Sequence, residues 1–269
     1  MIKPTKKLLI QWSKRILLIG ILFWISIVAV LNFQDGIFKK IYSDKIWIHR
    51  VNSIQKLNEV QTEYVGVELD LVYNNDKDYF DVNHPPAPST GLSLENYFKS
   101  VKNPSKLKIW LDYKNLNGEN ETSSLRKLKS ICEQYNISPD QMIVESRNPI
   151  FLTSFYNSGF TTSYYLPNSI SHKTGKERDD LRAQITKDLD DAEITFISSN
   201  KADIPVLKEF FPNKQILTWT VHFESETISP FSTREVYNSA IRAHRKYKLL
   251  SDHRVEIVLY KYIPVDGDY

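Results

Sequence analysis

The sequence predicts an α/β fold: a (β/α)8 TIM barrel preceded by one N-terminal transmembrane helix. Three observations predict it. An apolar run without charge extends from Ile16 to Leu31, and eight short β-branched or apolar runs alternate with helical patterns behind it. Neither a Gly-x-Gly-x-x-Gly nor a Walker A motif is present to favour an open nucleotide-binding sheet.

Length and composition allow this architecture. The chain has 269 residues, 41% of them hydrophobic and 12% aromatic, with only eight glycines. That suits one large domain with a sizeable core plus an appendage, and excludes disorder and low complexity.

The appendage is the apolar run, broken only by Gly20 and Ser26. Extended to Phe33 it makes a helix of roughly 27 Å, close to the thickness of a bilayer core. Lys3, Lys6, Lys7, Lys14 and Arg15 precede it with no acidic residue among them, so the N-terminus is expected in the cytoplasm and the barrel outside it. A cleaved signal peptide is the competing reading. Its hydrophobic region is usually ~7–15 residues long and ends at a small-x-small site, whereas Val28-Ala29-Val30 runs on into Leu31-Asn32-Phe33. The expected organisation is a basic flank over 1–15, an anchor over 16–33, a linker over 34–44 and the barrel over 45–269.

The net charge of +3 belongs to the flank, since its five cations leave −2 for everything else. No nucleic-acid partner is expected. The single cysteine, Cys132, has no intrachain partner and is expected to be buried and inert. Oligomeric state is not legible.

The predicted strands are Lys45–His49, Val65–Val72, Leu107–Asp112, Gln141–Glu145, Thr161–Leu166, Glu193–Ser198, Gln215–Val221 and Arg254–Tyr260. Helices are predicted at Ser53–Glu63, Ser93–Ser100, Ser123–Tyr135, Pro149–Ser158, Lys176–Asp190, Ile204–Phe211 and Thr233–Leu249, with Ser93 as an N-cap. The stretch from Asn74 to Gly91, with Pro85, Pro86 and Pro88 near its end, interrupts the rhythm after the second strand. Loops at that end of a barrel build the active site, which marks this one as functional.

Candidate site residues fall at the same strand ends. Glu68 and Asp70, two apart on the second strand, leave the same face, and two carboxylates aimed into a barrel mouth call for a cation such as Mg²⁺ or Ca²⁺. Asp112 and Lys114 repeat the device on the third strand: Asp112 completes the metal set and Lys114 faces an anionic ligand. A plain acidic strand face and a surface ion pair are the bland alternatives. His49 and Arg50 close the first strand, the arginine suited to gripping phosphate and the histidine to moving a proton. His84 lies in the long loop, beside Pro85-Pro86.

Taken in chain order, His49-Arg50, Glu68-x-Asp70, His84 and Asp112-x-Lys114 resemble the glycerophosphodiester phosphodiesterase family of the PLC-like phosphodiesterase superfamily. Val144-Glu145-Ser146 and Leu217-Thr218-Trp219-Thr220-Val221 are similar to that family's fourth- and seventh-strand endings, so the resemblance covers roughly residues 45 to 260. Three positions depart from the pattern: Val51 replaces the glycine after His-Arg, Asp112 stands where glutamate is usual, and Pro85 follows His84 where aspartate is common. The run His49-Arg50-Val51-Asn52-Ser53 with Lys56-Leu57, and His84-Pro85-Pro86 later, looks closer to the menorin-like branch.

The resemblance implies a metal-dependent phosphodiester hydrolase acting on a glycerophosphodiester-like or phospholipid-derived substrate. A cation sits on Glu68, Asp70 and Asp112; Arg50 and Lys114 neutralise phosphate; His49 and His84 act as acid and base. Glu145 orients Lys114 or a substrate hydroxyl, and Trp219 forms a wall. His172, His222, His244 and His253 are left as structural or surface residues. Two rivals stand beside this reading: a non-catalytic anchored barrel that binds a phosphorylated or sugar ligand, and a glycosidase using Glu68 and Asp70, whose backbones lie roughly 7 Å apart. Asn120-Glu121-Thr122 and Asn136-Ile137-Ser138 match a glycosylation pattern.

Overall fold

The computed structural model describes residues 6–220 and 227–262. They form two compact units, one of residues 6–42 with 227–251 and one of residues 43–220 with 252–262.

The larger unit is the barrel. Its strands are β1 (Ile46–His49), β2 (Gly66–Asn74), β3 (Tyr79–Val82), β4 (Lys108–Tyr113), β5 (Met142–Ser146), β6 (Thr161–Tyr165), β7 (Phe196–Asn200), β8 (Gln215–Thr220) and β9 (Val255–Lys261). All but β3 pair in parallel in the order β1-β9-β8-β7-β6-β5-β4-β2, and the pairing of β1 with β2 at Ile48 and Val67 closes the ring. Each of the eight predicted strands is present. Val221, expected to end the seventh of them, and His222 lie outside the described residues.

The covering helices are α2 (Ile54–Val60), α3 (Leu94–Lys99), α4 (Glu121–Tyr135), α5 (Thr153–Tyr156), α6 (Gly175–Asp190) and α7 (Ile204–Phe210). Ser53 and Ser93 cap α2 and α3 by accepting from the backbone N–H of Lys56 at 3.1 Å and Asn96 at 3.2 Å. The predicted helix at Pro149–Ser158 is instead a 3₁₀ turn over Pro149–Leu152 running into the single-turn α5.

β3 was not expected. The Asn74–Gly91 stretch folds back on β2 as an antiparallel hairpin, pairing Leu71 with Val82 and Asn74 with Tyr79. Alternation over only four residues is too short to stand out between turn residues, and its aromatics Tyr79 and Phe80 gave the signal available.

Inside the ring, Trp47, Trp110, Ile143, Leu217, Ile257 and Leu259 form a buried cluster. Between strands and helices lie Leu57, Val60, Leu128, Ile131, Cys132 and Leu207. Cys132 is buried as expected, and burial pushes its thiol up to about 12. Asn120 is also buried, its side chain accepting from the N–H of Asn117 at 2.9 Å and donating to the carbonyl of Asn115 at 2.8 Å, so that sequon is closed in the folded chain.

The smaller unit holds α1 (Lys6–Ile41) and α8 (Thr233–Leu250). α1 is one continuous 36-residue helix, long and apolar enough to cross a membrane. The expected linker over 34–44 is therefore helical as far as Ile41, because nothing between Asn32 and Ile41 breaks a helix except the tolerated Gly36. The expected barrel boundary changes too. α8, in chain order the last helix of the repeat, groups with α1 through Val28, Leu31, Ile228 and Val236.

One glycine is required by packing. A Cβ on Gly66 would lie 2.2 Å from the Trp47 indole that fills the barrel floor. Gly66→Ala should therefore lower stability by about 1–3 kcal/mol, the usual range for overpacking, as read by denaturant unfolding of the full chain in detergent. An unchanged midpoint would show that Trp47 can yield.

Candidate active site

Strand register builds the site. Asp70 on β2 pairs with Asp112 on β4, Asp112 with Glu145 on β5, and Glu145 with Ser163 on β6. Three acids therefore stand side by side at the C-terminal end of the barrel, with Glu68 two residues earlier on the same face of β2. All four are buried.

Carboxylate oxygens of Glu68, Asp70 and Asp112 approach within 4.8 Å of one another. Burial, then the Asp70 and Asp112 charges, hold the Glu68 pKa well above the ordinary glutamate value. Burial also raises Asp112, against relief from Lys114. Buried oxygens this close, two of them on raised acids, fit a hard divalent cation.

Lys114 supplies positive charge from within the chain. Its Nζ lies 2.7 Å from Asp70 Oδ1 and also bonds Asp112 Oδ2. Burial disfavours the ammonium, but the Asp112 and Asp70 carboxylates outweigh it and hold its pKa above the ordinary lysine value.

The first-strand turn is built around Glu68. Arg50 adopts a left-handed backbone with φ of 53°, a conformation that costs a non-glycine residue on the order of 1 kcal/mol. Its N–H donates to Glu68 Oε2 at 2.6 Å, and the Val51 N–H donates to the Glu68 carbonyl at 2.7 Å. From α2 the buried Lys56 donates to the carbonyls of His49 at 2.8 Å and Arg50 at 3.0 Å, with burial pushing its pKa down to about 8.

His49 Nε2 lies 3.6 Å from Glu68 Oε2, and His84 Nε2 lies 3.9 Å from Asp70 Oδ1, so each imidazole borders a different acid. Burial, then Arg50, pushes the His49 pKa down to about 3, leaving a neutral ring at physiological pH. Arg50 Nη2 bonds His84 Nε2 at 2.8 Å. An arginine only donates, so His84 Nε2 offers its lone pair there.

All nine residues singled out in the sequence, His49, Arg50, Glu68, Asp70, His84, Asp112, Lys114, Glu145 and Trp219, line one cavity of roughly 70 Å³. Trp110, Tyr165 and Leu259 line it as well. The Trp110 indole N–H is buried and has no partner among the described residues.

Sequence reasoning missed four supporting residues. Asn52 holds Asp70 at two points, its Nδ2 donating to Asp70 Oδ2 at 2.7 Å and its Oδ1 accepting from the Asp70 N–H at 2.9 Å. Lys56 clamps the strained turn. Tyr165 meets Trp219 edge to face with ring centroids 5.3 Å apart, and the Arg147 guanidinium lies 4.1 Å above the Tyr165 ring. Position at a strand end was the available signal for Arg147 and Tyr165. For Asn52 and Lys56 there was none beyond their place after His49-Arg50.

Beside known proteins, no protein-family model and no curated protein matches the chain. The solved structures that resemble it in fold include the following two. A candidate glycerophosphoryl diester phosphodiesterase from Agrobacterium tumefaciens str. C58 is 12% identical, with a TM-score of 0.53 over 80% of this chain and 92% of that one. Another from Silicibacter pomeroyi DSS-3 is 11% identical, with a TM-score of 0.51 over 81% of this chain and 89% of that one. The fold they share with this chain is a (β/α)8 barrel. At these identities the likeness is one of fold, and in this chain's barrel the acids stand at the C-terminal strand ends, where barrel enzymes carry their sites.

Glu145 gives a test independent of turnover. Burial, then the Asp112 charge, pushes its pKa from 4.5 up to about 8, partly offset by the Ser163 hydroxyl bonded at 2.7 Å. Between those values the folded protein binds the proton that the unfolded chain releases, so stability falls as pH rises from about 4.5 to about 8. Glu145→Gln should flatten that decline in thermal melts with EDTA. A slope equal to wild type would remove Glu145 as its source.

Proposed function

We propose that the chain is a metal-dependent phosphodiester hydrolase, held at a membrane by α1, that acts outside the cytoplasm on a glycerophosphodiester-like or phospholipid-derived substrate. The observation that carries this reading is the convergence of three buried carboxylates, two cationic side chains and two imidazoles on one cavity. Acids alone would suit many ligands, but Arg50 and Lys114 beside them select an anionic one. The fold shared with the two phosphodiesterase structures supports the same substrate class. The sequence pattern around His49 and His84 favours the menorin-like branch within it.

Glu68, Asp70 and Asp112 would hold a divalent cation such as Mg²⁺ or Ca²⁺, which when bound polarises a phosphoryl oxygen. Asn52 and the Arg50 N–H aim two of these carboxylates by hydrogen bonds that leave other oxygens for the ligand. Arg50 and Lys114 neutralise the remaining phosphate charge, so developing charge meets fixed partners in a largely enclosed site. His49 and His84 serve as the acid–base pair: one accepts the proton of the attacking hydroxyl, and the other enters the cycle protonated and gives its proton to the leaving oxygen. His84 Nε2 can take either role only once Arg50 turns to the phosphate and frees it. Trp219 and Tyr165 offer an aromatic wall to the alcohol group. α1 acts as the membrane span, with its basic flank in the cytoplasm.

The bonds within the chain favour a second reading, a barrel that binds without turnover. Lys114 already bridges Asp70 and Asp112, and Arg50 already occupies His84 Nε2.

The purified full chain in detergent should hydrolyse bis(4-nitrophenyl) phosphate and glycerophosphodiesters, and EDTA should abolish this. His49→Ala and His84→Ala should each lower kcat by about 10²- to 10⁴-fold. Turnover that survives chelation and both substitutions would refute the mechanism. Cation-dependent binding of a phosphodiester without hydrolysis would establish the second reading instead.

A further inference from the structure

The apolar stretch of α1 carries three side chains with polar groups, Trp24, Ser26 and Asn32, each costly at membrane depth unless satisfied. Ser26 Oγ donates to the Leu22 carbonyl of its own helix at 2.8 Å. The other two reach the segment just before α8. Trp24 Nε1 donates to the Pro230 carbonyl at 2.7 Å, while Asn32 Oδ1 accepts from the Ile228 N–H at 2.8 Å and Asn32 Nδ2 donates to the Ile228 carbonyl at 3.4 Å.

Apolar packing follows the same line. Ile228 and Val236 bury Val28 and Leu31, with Trp24, Ile27 and Ala243 around them. Beyond the apolar stretch the contacts turn polar: Gln34 bonds Ser239 at 3.1 Å, and Asp35 pairs with Lys246 at 2.5 Å. Partners on α8 thus advance along the chain as those on α1 do, so α8 starts beside the apolar run and ends beside Asp35. Counted back from Phe33 at ~1.5 Å per residue, Trp24 lies roughly 14 Å inside the run and Val28 roughly 8 Å.

Phe231, next to Pro230, is 96% exposed, and Tyr237 is 67% exposed. Irregular backbone survives at membrane depth only where its polar groups are bonded within the protein. Several of them are bonded here: the Ser229 N–H donates to Glu235 Oε2 at 3.0 Å, the Phe231 N–H to Ser229 Oγ at 3.3 Å and the Ser232 N–H to the Ser229 carbonyl at 3.2 Å, besides the bonds to Ile228 and Pro230.

We propose that Ile228–Ser232 is a membrane-inserted loop. It lies against α1 within the leaflet away from the basic flank, with Phe231 among the acyl chains and Tyr237 nearer the head groups, where aromatic rings with a polar tip gather. Its partner is bilayer hydrocarbon. The inference rests on α1 being a membrane span, and it adds a second point of insertion that fixes the depth and rotation of α8.

Two reporters separate the two ideas. Phe231→Cys and Phe23→Cys are each made in the full chain, labelled with an NBD fluorophore and reconstituted in phosphatidylcholine vesicles carrying nitroxides on their acyl chains. Wild type, whose Cys132 is buried, sets the labelling background. Phe231 is almost wholly exposed, so its replacement removes no packing. Both labels should emit at shorter wavelength than in detergent-free buffer and be quenched at least twofold by the nitroxides. A quenched label at position 23 with an unquenched, water-like label at 231 would overturn the inserted loop and leave the span standing. Unquenched labels at both positions would overturn the span and the loop with it.

Discussion

Asp70, Asp112 and Glu145 stand in register on three neighbouring strands, roughly 4.8 Å apart along the sheet. At an effective dielectric of about 20, each adjacent pair of full charges would repel by roughly 3–4 kcal/mol. That exceeds what a few hydrogen bonds supply, so the row must be neutralised by a proton, by Lys114 or by a bound cation. The rest of the catalytic end follows from this constraint. Lys114 leans back between two of the acids, Asn52 grips Asp70 from both sides, the Arg50 N–H faces Glu68, and Ser163 donates to Glu145. A site tuned to be short of positive charge is one that a cation and its anionic ligand complete together.

The strained turn at Arg50 belongs to the same economy. The left-handed backbone brings two successive N–H groups onto Glu68, and Lys56 holds the two carbonyls on the other side. Glycine would relieve the torsion at that position, but it would remove the guanidinium that reaches His84. Conformational ease and the contact with His84 therefore compete at one residue.

The barrel was legible because strands buried on both faces read as continuous apolar runs, and because inward acids at two-residue spacing break such runs at their ends. Glu68, Asp70, Asp112 and Lys114 were found that way, His49, Arg50 and His84 by their place in chain order, and Glu145 and Trp219 by the resemblance of their strand endings. All line the same cavity. Asn52 and Lys56 were not legible as supports, since nothing local says that their side chains turn back onto the strand they follow. The β3 hairpin was hidden inside a loop signal, and the run of helix past Phe33 was hidden because Gln34 and Asp35, polar enough to suggest a linker, find Ser239 and Lys246 on α8.

That last feature bears on how the protein can be handled. An anchor joined to its domain by a flexible tether can be cut away to leave a soluble body. Here α1 covers Ile228 and Val236 and supplies the groups that satisfy the Ile228 backbone and the Lys246 ammonium. A chain begun after Ile41 would expose those side chains and leave α8 without its neighbour, inviting aggregation unrelated to the barrel. The route to soluble material is to keep the helix and replace its exposed apolar side chains between Ile16 and Phe23 with polar ones, sparing Trp24, Val28, Leu31 and Asn32.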